Sequence, residues 1–130
     1  FGAVLVGADG ADCTKRAVLA DGLNGATTTG DLRAHAELDA VTNAVRAGLA
    51  AAVPGSTVYA SGEPCPMCAA GMVWAGVGRI VFAVASAEFT PLLGDGPAFD
   101  LTCAEVVARS TARIRVDGPV PVEGALDVFG

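Results

Sequence analysis

The chain has 130 residues, of which 52% are hydrophobic and 17% are charged, and its formal net charge is −6 at pH 7. This length is enough for one domain with a hydrophobic core that needs no disulfide bonds. The acidic balance argues against a protein that binds nucleic-acid phosphates, because such a protein needs clustered cations. The hydropathy and charged fraction exclude a disordered chain, and no apolar run is long enough to span a membrane.

The cysteines indicate a reducing compartment. The chain has four of them, too few for a disulfide scaffold, and Cys65 and Cys68 form a Cys-x-x-Cys pair. This spacing favours metal binding or redox chemistry, which predicts a cytoplasmic protein. Cys13 and Cys103 have no partnering motif, so we expect both to be buried free thiols.

The first predicted elements form a hairpin. Residues 2–6 are a short apolar run with β-branched side chains, which predicts a strand that ends before the turn signal Asp9-Gly10. Residues 17–20 are predicted as the partner strand, ended by Asp21-Gly22. A loop rich in Gly, Asn and Thr follows over 23–30.

Two predicted helices flank the next strand. Over 35–52, apolar residues recur at spacings of three and four, which predicts an amphipathic helix that ends near Pro54-Gly55. Residues 57–60 predict a buried strand, and residues 64–75 predict a second helix.

The remaining elements complete an α/β pattern. Residues 79–84 predict a strand, 91–97 a loop, 100–109 a helix and 112–116 a final strand. Apolar residues alternate with arginines in that last strand, which is typical of an edge strand with one solvent-exposed face. Strands that alternate with helices after a hairpin predict a single domain over 1–130, a three-layer α/β/α fold with a mixed five-stranded sheet.

Two motifs with metal-ligand chemistry each begin a predicted helix. His35-Ala36-Glu37 begins the first helix, and Cys65-Pro66-Met67-Cys68 begins the second. The two cysteines lie three residues apart in a first turn, so their sulfurs can point at one centre. With His35 they provide the three protein ligands of a catalytic zinc, which keeps one position for water. Glu37, at the same helix terminus, could then move protons between water and a leaving amine.

Each of these residues also has a simpler interpretation. His35 alone is typical of a helix-capping histidine, and Glu37 alone of a solvated acid at a helix start. Cys65 and Cys68 alone could be a thioredoxin-like redox pair or two buried thiols. A structural zinc would need a third thiolate, from another cysteine. The presence of both motifs at helix starts favours the catalytic zinc site.

Segment 61–80, SGEPCPMCAAGMVWAGVGRI, resembles the cytidine/deoxycytidylate deaminase superfamily, in which His-x-Glu accompanies Pro-Cys-x-x-Cys. Residues 1–6 look like the first strand of that superfamily, and residues 24–37 look like its first motif. The resemblance spans residues 1–84. Within the superfamily, the chain is most similar to bacterial guanine deaminases and related nucleobase deaminases.

The resemblance implies a cytidine-deaminase-like fold with His35, Cys65 and Cys68 as zinc ligands and Glu37 as the catalytic proton carrier. It implies hydrolytic deamination of a small nucleobase, guanine or a related aminated heterocycle, with release of ammonia. It also implies at least a homodimer with sites near the subunit boundary.

The resemblance further implies four substrate-binding residues. Asn24 would hydrogen-bond the base, although it also fits a turn, and Phe1 would pack near the ring, although it also fits strand core. Trp74 matches the tryptophan of a Trp-Ala segment, and its alternative is helix core. Asp100 weakly resembles the acidic residue that reads the guanine edge, and its alternative is a loop or cap aspartate.

The sequence also departs from the family pattern. Gly62 stands where the family usually has cysteine or another larger residue, and Leu32-Arg33 replaces a common Pro-Thr. The loop over 7–16 looks longer than usual. We expect the domain to lack an N-terminal helix before Phe1 and part of the tail after Leu126.

Three other functions remain open. A tRNA adenosine deaminase would keep the zinc site but needs a basic face, which the net charge of −6 makes a poor fit. A non-catalytic, zinc-stabilised interaction module would keep the zinc and have no use for Glu37. A dithiol redox enzyme would form a reversible Cys65–Cys68 disulfide and have no use for His35.

Overall fold

A computed structural model describes residues 1–8 and 17–129. Within those residues, the strands are β1 Gly2–Val6, β2 Val18–Leu23, β3 Thr57–Gly62, β4 Arg79–Val84 and β5 Arg115–Asp117. They form one mixed sheet in the order β2-β1-β3-β4-β5. The pairs β1–β2 and β1–β3 are antiparallel, and the pairs β3–β4 and β4–β5 are parallel.

Helices flank the sheet. The α-helices of the described residues are α1 Ala26–Thr29, α2 Ala36–Arg46, α3 Pro66–Ala75, α4 Ser86–Phe89 and α5 Cys103–Ala108. Short 3-10 turns cover Ala50–Ala52, Thr90–Leu93 and Ala125–Phe129. The predicted mixed five-stranded α/β fold is confirmed, and the final strand lies at the sheet edge as expected. No helix within 1–8 and 17–129 is long and apolar enough to cross a membrane.

Several predicted boundaries are wrong, each for a local reason. Strand β2 continues through Gly22, which the sequence analysis assigned to a turn. A Cβ at Gly22 would collide with the backbone of α2 at Ala36 and Ala40, so this glycine permits close helix–sheet packing. Helix α2 ends at Arg46 because Gly48, with φ of +81°, leaves the helical region.

The last helix and strand also start later than predicted. Helix α5 begins after Thr102, whose hydroxyl accepts from the backbone N–H of Glu105 while the Glu105 carboxylate accepts from the backbone N–H of Thr102. This capping box fixes the helix start, so Asp100 lies before the helix. Strand β5 covers Arg115–Asp117 rather than 112–116. The predicted Asp9-Gly10 turn and Cys13 lie outside the described residues.

The hydrophobic core holds the sheet and helices α2 and α3 together, so that both helices begin at the same end of the sheet. Leu5, Val58 and Ile80 are fully buried on the three central strands, and Met72 of α3 is fully buried with them. Strand β3 leads through residues 63–65 into α3, and α2 packs on β1 and β2. The N-termini of α2 and α3 therefore meet near the carboxyl ends of the parallel strands, where open α/β sheets usually bind ligands.

Candidate active site

Two helix starts hold the metal-binding side chains. His35 is the N-cap residue of α2 and Cys65 is the N-cap residue of α3, both with extended backbone. Pro66 occupies the first turn of α3, where the missing N–H costs no helical hydrogen bond. Cys68 lies one turn into α3 and is fully buried. The placement of both motifs at helix starts is confirmed.

The distances between the three side chains fit a zinc ion. Nδ1 of His35 lies 3.5 Å from Sγ of Cys65 and 3.6 Å from Sγ of Cys68. All three ligand atoms lie within 4.8 Å of one another. Zinc–sulfur bonds of about 2.3 Å and zinc–nitrogen bonds of about 2.0 Å put tetrahedral N and S ligand atoms about 3.5 Å apart. His35, Cys65 and Cys68 are therefore a zinc-binding group whose nitrogen–sulfur distances already match those around a bound ion.

The two thiols differ in acidity because one donates a hydrogen bond to the other. The Cys68 thiol stabilises the Cys65 thiolate and lowers the pKa of Cys65 to about 5. The same contact and burial raise the pKa of Cys68. Zinc binding requires both thiolates, so loading the site displaces the proton on Cys68.

Glu37 lies in the first turn of α2, beside the zinc-binding group. Its side chain is only 6% exposed. Burial raises the pKa of this carboxyl, partly offset by a hydrogen bond from its own backbone and by the Cys68 thiol. Glu37 also lines the cavity described below, together with His35 and Cys65 of the metal-binding group.

A second buried carboxylate, Glu63, lies two residues before Cys65. Its Oε1 accepts from the backbone N–H of Ser86 at 2.9 Å and from the Ser86 hydroxyl at 3.1 Å. Its Oε2 accepts from the backbone N–H of Cys103 at 2.9 Å. Glu63 therefore ties the metal-binding loop to the starts of α4 and α5. The sequence analysis did not single it out.

A cavity of about 560 Å³ opens over these groups. This volume is within the range of about 300–1,000 Å³ found for small-molecule sites. His35, Glu37 and Cys65 line it, together with Phe1 and Asn24. The structure therefore brings the predicted zinc ligands, the predicted proton carrier and two predicted substrate contacts to one place.

Asn24 has a local structural partner as well as a place on the cavity wall. Its side-chain oxygen accepts from the backbone N–H of Ala26 at 3.0 Å, which fixes the start of α1. This contact is the turn role considered in the sequence analysis. Both roles are compatible, because the amide nitrogen of Asn24 is a separate donor.

The structure does not bring Trp74 or Asp100 to this cavity. Trp74 is 89% exposed on α3, so its alternative assignment to helix core is wrong. Asp100 is exposed and absent from the lining, although Phe99 and Leu101 line it. A substrate-binding role for Trp74 or Asp100 stays a prediction that this cavity does not support.

Two further aromatic residues shape the site and were missed by the sequence analysis. Phe89, at the end of α4, lines the cavity, and the ring of Phe129 stacks on the ring of Phe89. Neither lies in a motif, and the available sequence signal was the small residue Gly62, on which both rings pack.

Cys103 is a buried free thiol as predicted, and burial raises its pKa to about 12.

Comparison with known proteins identifies the family. Residues 1–84 match the cytidine and deoxycytidylate deaminase zinc-binding region. The chain therefore belongs to this family, and His35, Cys65 and Cys68 are its zinc-binding group.

Individual relatives differ in their substrates. A guanine deaminase of Bacillus subtilis (strain 168) is 39% identical over 83 residues, which are 64% of this chain and 49% of that protein. A structure of an NE0047 variant in complex with 8-azaguanine has a TM-score of 0.76 and 25% identity, over 98% of this chain and 70% of that chain. A structure from a study of A-to-I editing by wobble-position tRNA deaminases has a TM-score of 0.65 and 28% identity, over 89% of this chain and 79% of that chain. The chain spans about half the length of the curated guanine deaminase that it matches.

Proposed function

We propose that this protein is a zinc-dependent hydrolytic deaminase of an uncharged nucleobase, guanine or a related aminated heterocycle. The observation that carries the proposal is the zinc-binding group of His35, Cys65 and Cys68, which opens onto a cavity beside the buried carboxylate of Glu37. Three protein ligands leave one position for water, as catalytic zinc sites require.

Glu37 is the proton carrier in this proposal. Bound zinc supplies the Lewis acidity that makes water a nucleophile at neutral pH. Glu37 accepts the proton released as the water oxygen bonds to the amine-bearing carbon. It then delivers this proton to the ring nitrogen. Glu37 next takes the remaining proton from the new hydroxyl group on that carbon and delivers it to the leaving amine, so that the carbonyl forms, the carbon–nitrogen bond breaks and ammonia departs. Glu63 is unsuited to this role because three protein donors already occupy its two oxygens.

The charge of the cavity supports an uncharged substrate. Among the described residues, no arginine or lysine lines the cavity, and its titratable lining groups are His35, Cys65, Glu37 and Glu63. A nucleotide phosphate in this cavity would lie near two carboxylates, and no arginine or lysine of the described lining would pair with it. The phenyl ring of Phe1 and the amide of Asn24 fit a planar base with polar edges. The guanine deaminase relative and the 8-azaguanine complex of a structural relative support the same substrate class.

A tRNA adenosine deaminase is the second candidate, because a structural relative comes from a study of tRNA deaminases. The net charge of −6 argues against it, since each phosphate contact needs a cation. Two described arginines near the sheet edge, Arg79 and Arg115, are also already paired with Asp117. A tRNA-binding measurement at physiological salt decides between the two candidates.

The enzyme is proposed to act as a homodimer in the cytoplasm. An apolar stripe on α3 supports the dimer, because Met67 and Trp74 lie two turns apart on one face and are 38% and 89% exposed. The Cys-x-x-Cys spacing of Cys65 and Cys68, which is typical of metal binding rather than of a disulfide scaffold, supports a reducing compartment. Light scattering of the wild type and of Trp74→Glu tests the dimer, which the charged substitution should dissociate.

Ammonia release from a panel of bases tests the function. The panel contains guanine, isoguanine, cytosine, adenine, their nucleosides and the corresponding 5′-monophosphates, and zinc content is measured on the same samples. We expect turnover of at least one free base and none of the monophosphates. A protein that holds no zinc, or a zinc-loaded protein that releases no ammonia from any compound, would contradict the proposal. A non-catalytic zinc module would unfold on chelation yet show no effect of Glu37→Ala.

A further inference from the structure

Three phenylalanines that are far apart in sequence meet at one wall of the cavity. Phe1, Phe89 and Phe129 are here called the phenylalanine cluster. The ring centroids of Phe1 lie 5.3 Å from Phe89 and 4.9 Å from Phe129, both edge to face. The rings of Phe89 and Phe129 are stacked at 4.8 Å with an interplanar angle of 16°. Each ring therefore contacts both of the others, and none can turn without disturbing its neighbours.

The cluster packs on the backbone at Gly62, the last residue of β3. A Cβ at this position would lie 3.0 Å from the Phe89 ring, 3.1 Å from the Phe129 ring and 3.2 Å from the Phe1 ring. The backbone of Gly62 does not have a positive φ, so only space restricts the residue type here. Glycine therefore lets all three rings approach the strand that leads into the metal-binding loop.

The three rings have different positions relative to the cavity. Phe1 and Phe89 line it, whereas Phe129 is not part of the lining. Phe129 is 7% exposed and closes the 3-10 turn Ala125–Phe129, where it packs with Val84 and Phe89. Phe129 therefore supports the cavity wall from behind.

We propose that Phe129 is a positioning residue for the substrate, which acts by fixing the rings of Phe1 and Phe89, and that Gly62 is the small residue that makes room for it. The proposal rests on the proposed function and assigns the contact surface for a planar heterocycle to the phenylalanine cluster. Aromatic rings attract one another in offset or edge-to-face arrangements, so a base binds best when the rings of the wall are held in place. This arrangement affects binding of the base and not the proton transfers at Glu37.

Phe129→Ala in the zinc-loaded protein is the primary test. Loss of the ring contacts of Phe129 with both Phe1 and Phe89 predicts an increase of about 3- to 10-fold in KM, and a similar increase in the Kd of 8-azaguanine measured by calorimetry. The value of kcat should stay within about twofold of wild type. Phe129→Leu, which restores most of the volume without the aromatic contacts, should recover part of the affinity. Val128→Ala is the matched control, since Val128 lies on the same turn and is 64% exposed.

Gly62→Ala is a second test, which disturbs the same rings from the side of strand β3. The added methyl group should displace the rings by a few tenths of an ångström, so we expect KM to rise about two- to fivefold. Phe129→Leu removes one of the three ring contacts of that methyl group. The double variant Gly62→Ala/Phe129→Leu should therefore show a smaller rise in KM than the product of the two single effects.

The outcomes separate this proposal from the proposed function. If the wild type turns over a base and Phe129→Ala keeps the wild-type KM and Kd, the proposal is wrong while the proposed function stands. If Phe129→Ala lowers kcat and zinc content as well as raising KM, the residue is structural and the proposal is also wrong. If the zinc-loaded wild type neither binds nor deaminates any base, both fail.

Discussion

Glu37 and Glu63 are two carboxylates in one cavity wall with opposite surroundings. Each is 6% exposed, and each lies two residues from a zinc-binding residue. Glu37 contacts its own backbone and the Cys68 thiol, a proton donor that zinc binding removes. Glu63 instead accepts three hydrogen bonds from Ser86 and Cys103, none of which depends on the metal.

The comparison teaches that burial alone does not identify a catalytic acid. A buried carboxylate whose oxygens are occupied by backbone N–H groups stabilises the fold, because removing it leaves those donors unsatisfied. A buried carboxylate that faces a cavity beside a metal-binding group can still accept and release a proton during the reaction. The following substitutions test this difference between Glu37 and Glu63.

Glu37→Gln has the largest expected effect on catalysis. Glutamine keeps the size of the side chain and cannot carry the proton, so kcat should fall by about 10²- to 10⁴-fold. Zinc content and the free energy of unfolding of the zinc-loaded protein should stay close to wild type, because zinc binding has already removed the Cys68 thiol proton that Glu37 accepts from α3. Ammonia release, metal analysis and urea denaturation measure the three quantities.

Glu88→Gln, an isosteric change at an exposed position on α4, is the control for Glu37→Gln. The assignment of roles would be reversed if Glu37→Gln kept wild-type turnover while Glu63→Gln abolished it at full zinc occupancy.

Glu63→Gln should have the largest effect on stability. The amide nitrogen of glutamine must face the donors of either Ser86 or Cys103, so at least one hydrogen bond is replaced by a donor–donor contact. We expect the free energy of unfolding to fall by about 1–3 kcal/mol, measured by urea denaturation of the zinc-loaded protein. The loss of kcat should be far smaller than for Glu37→Gln. An unchanged unfolding midpoint would contradict the structural role of Glu63.

Ser86→Ala removes part of the Glu63 interaction and leaves the carboxylate in place. The Ser86 backbone N–H still donates to Glu63, so only the hydroxyl contact at 3.1 Å is lost. We expect a decrease of about 0.5–1.5 kcal/mol in the free energy of unfolding and no change in KM. A decrease as large as that of Glu63→Gln would mean that the hydroxyl contact, rather than the two backbone contacts, dominates the interaction.

The metal-binding group was predictable from the sequence because its residues obey local rules. His35 and Cys65 are helix N-caps, and the spacing of Cys65 and Cys68 is one helical turn. The geometry within each motif therefore follows from residues that are close in sequence. Strand Arg79–Val84 was also predicted with its observed bounds, since its β-branched and aromatic residues lie between clear turn signals.

The role of Glu63 and the phenylalanine cluster could not be predicted in the same way. The partners of Glu63 are 23 and 40 residues away, and no short pattern records such pairs. Phe1, Phe89 and Phe129 meet only after three chain segments pack together. Helix periodicity also could not predict that position 22 must be glycine, because a side chain there would collide with the backbone of α2.

Asp117→Asn should have the smallest effect, and Asp117, whose side chain is 28% exposed, provides a more accessible counterpart to both buried acids. Asp117 accepts from Nε of Arg79 at 2.7 Å and lies 2.8 Å from Nε of Arg115. The hydrogen bond from Arg79 lowers the pKa of Asp117 below its ordinary value. The stability it contributes is therefore present above that ordinary value and is lost as the pH falls through the lower, folded-state pKa. Solvent screens this pair, so Asp117→Asn should lower the urea midpoint less than Ser86→Ala at pH 7, and the difference from wild type should vanish in strong acid. A difference that persists after Asp117 is protonated would show that the asparagine acts through packing rather than charge.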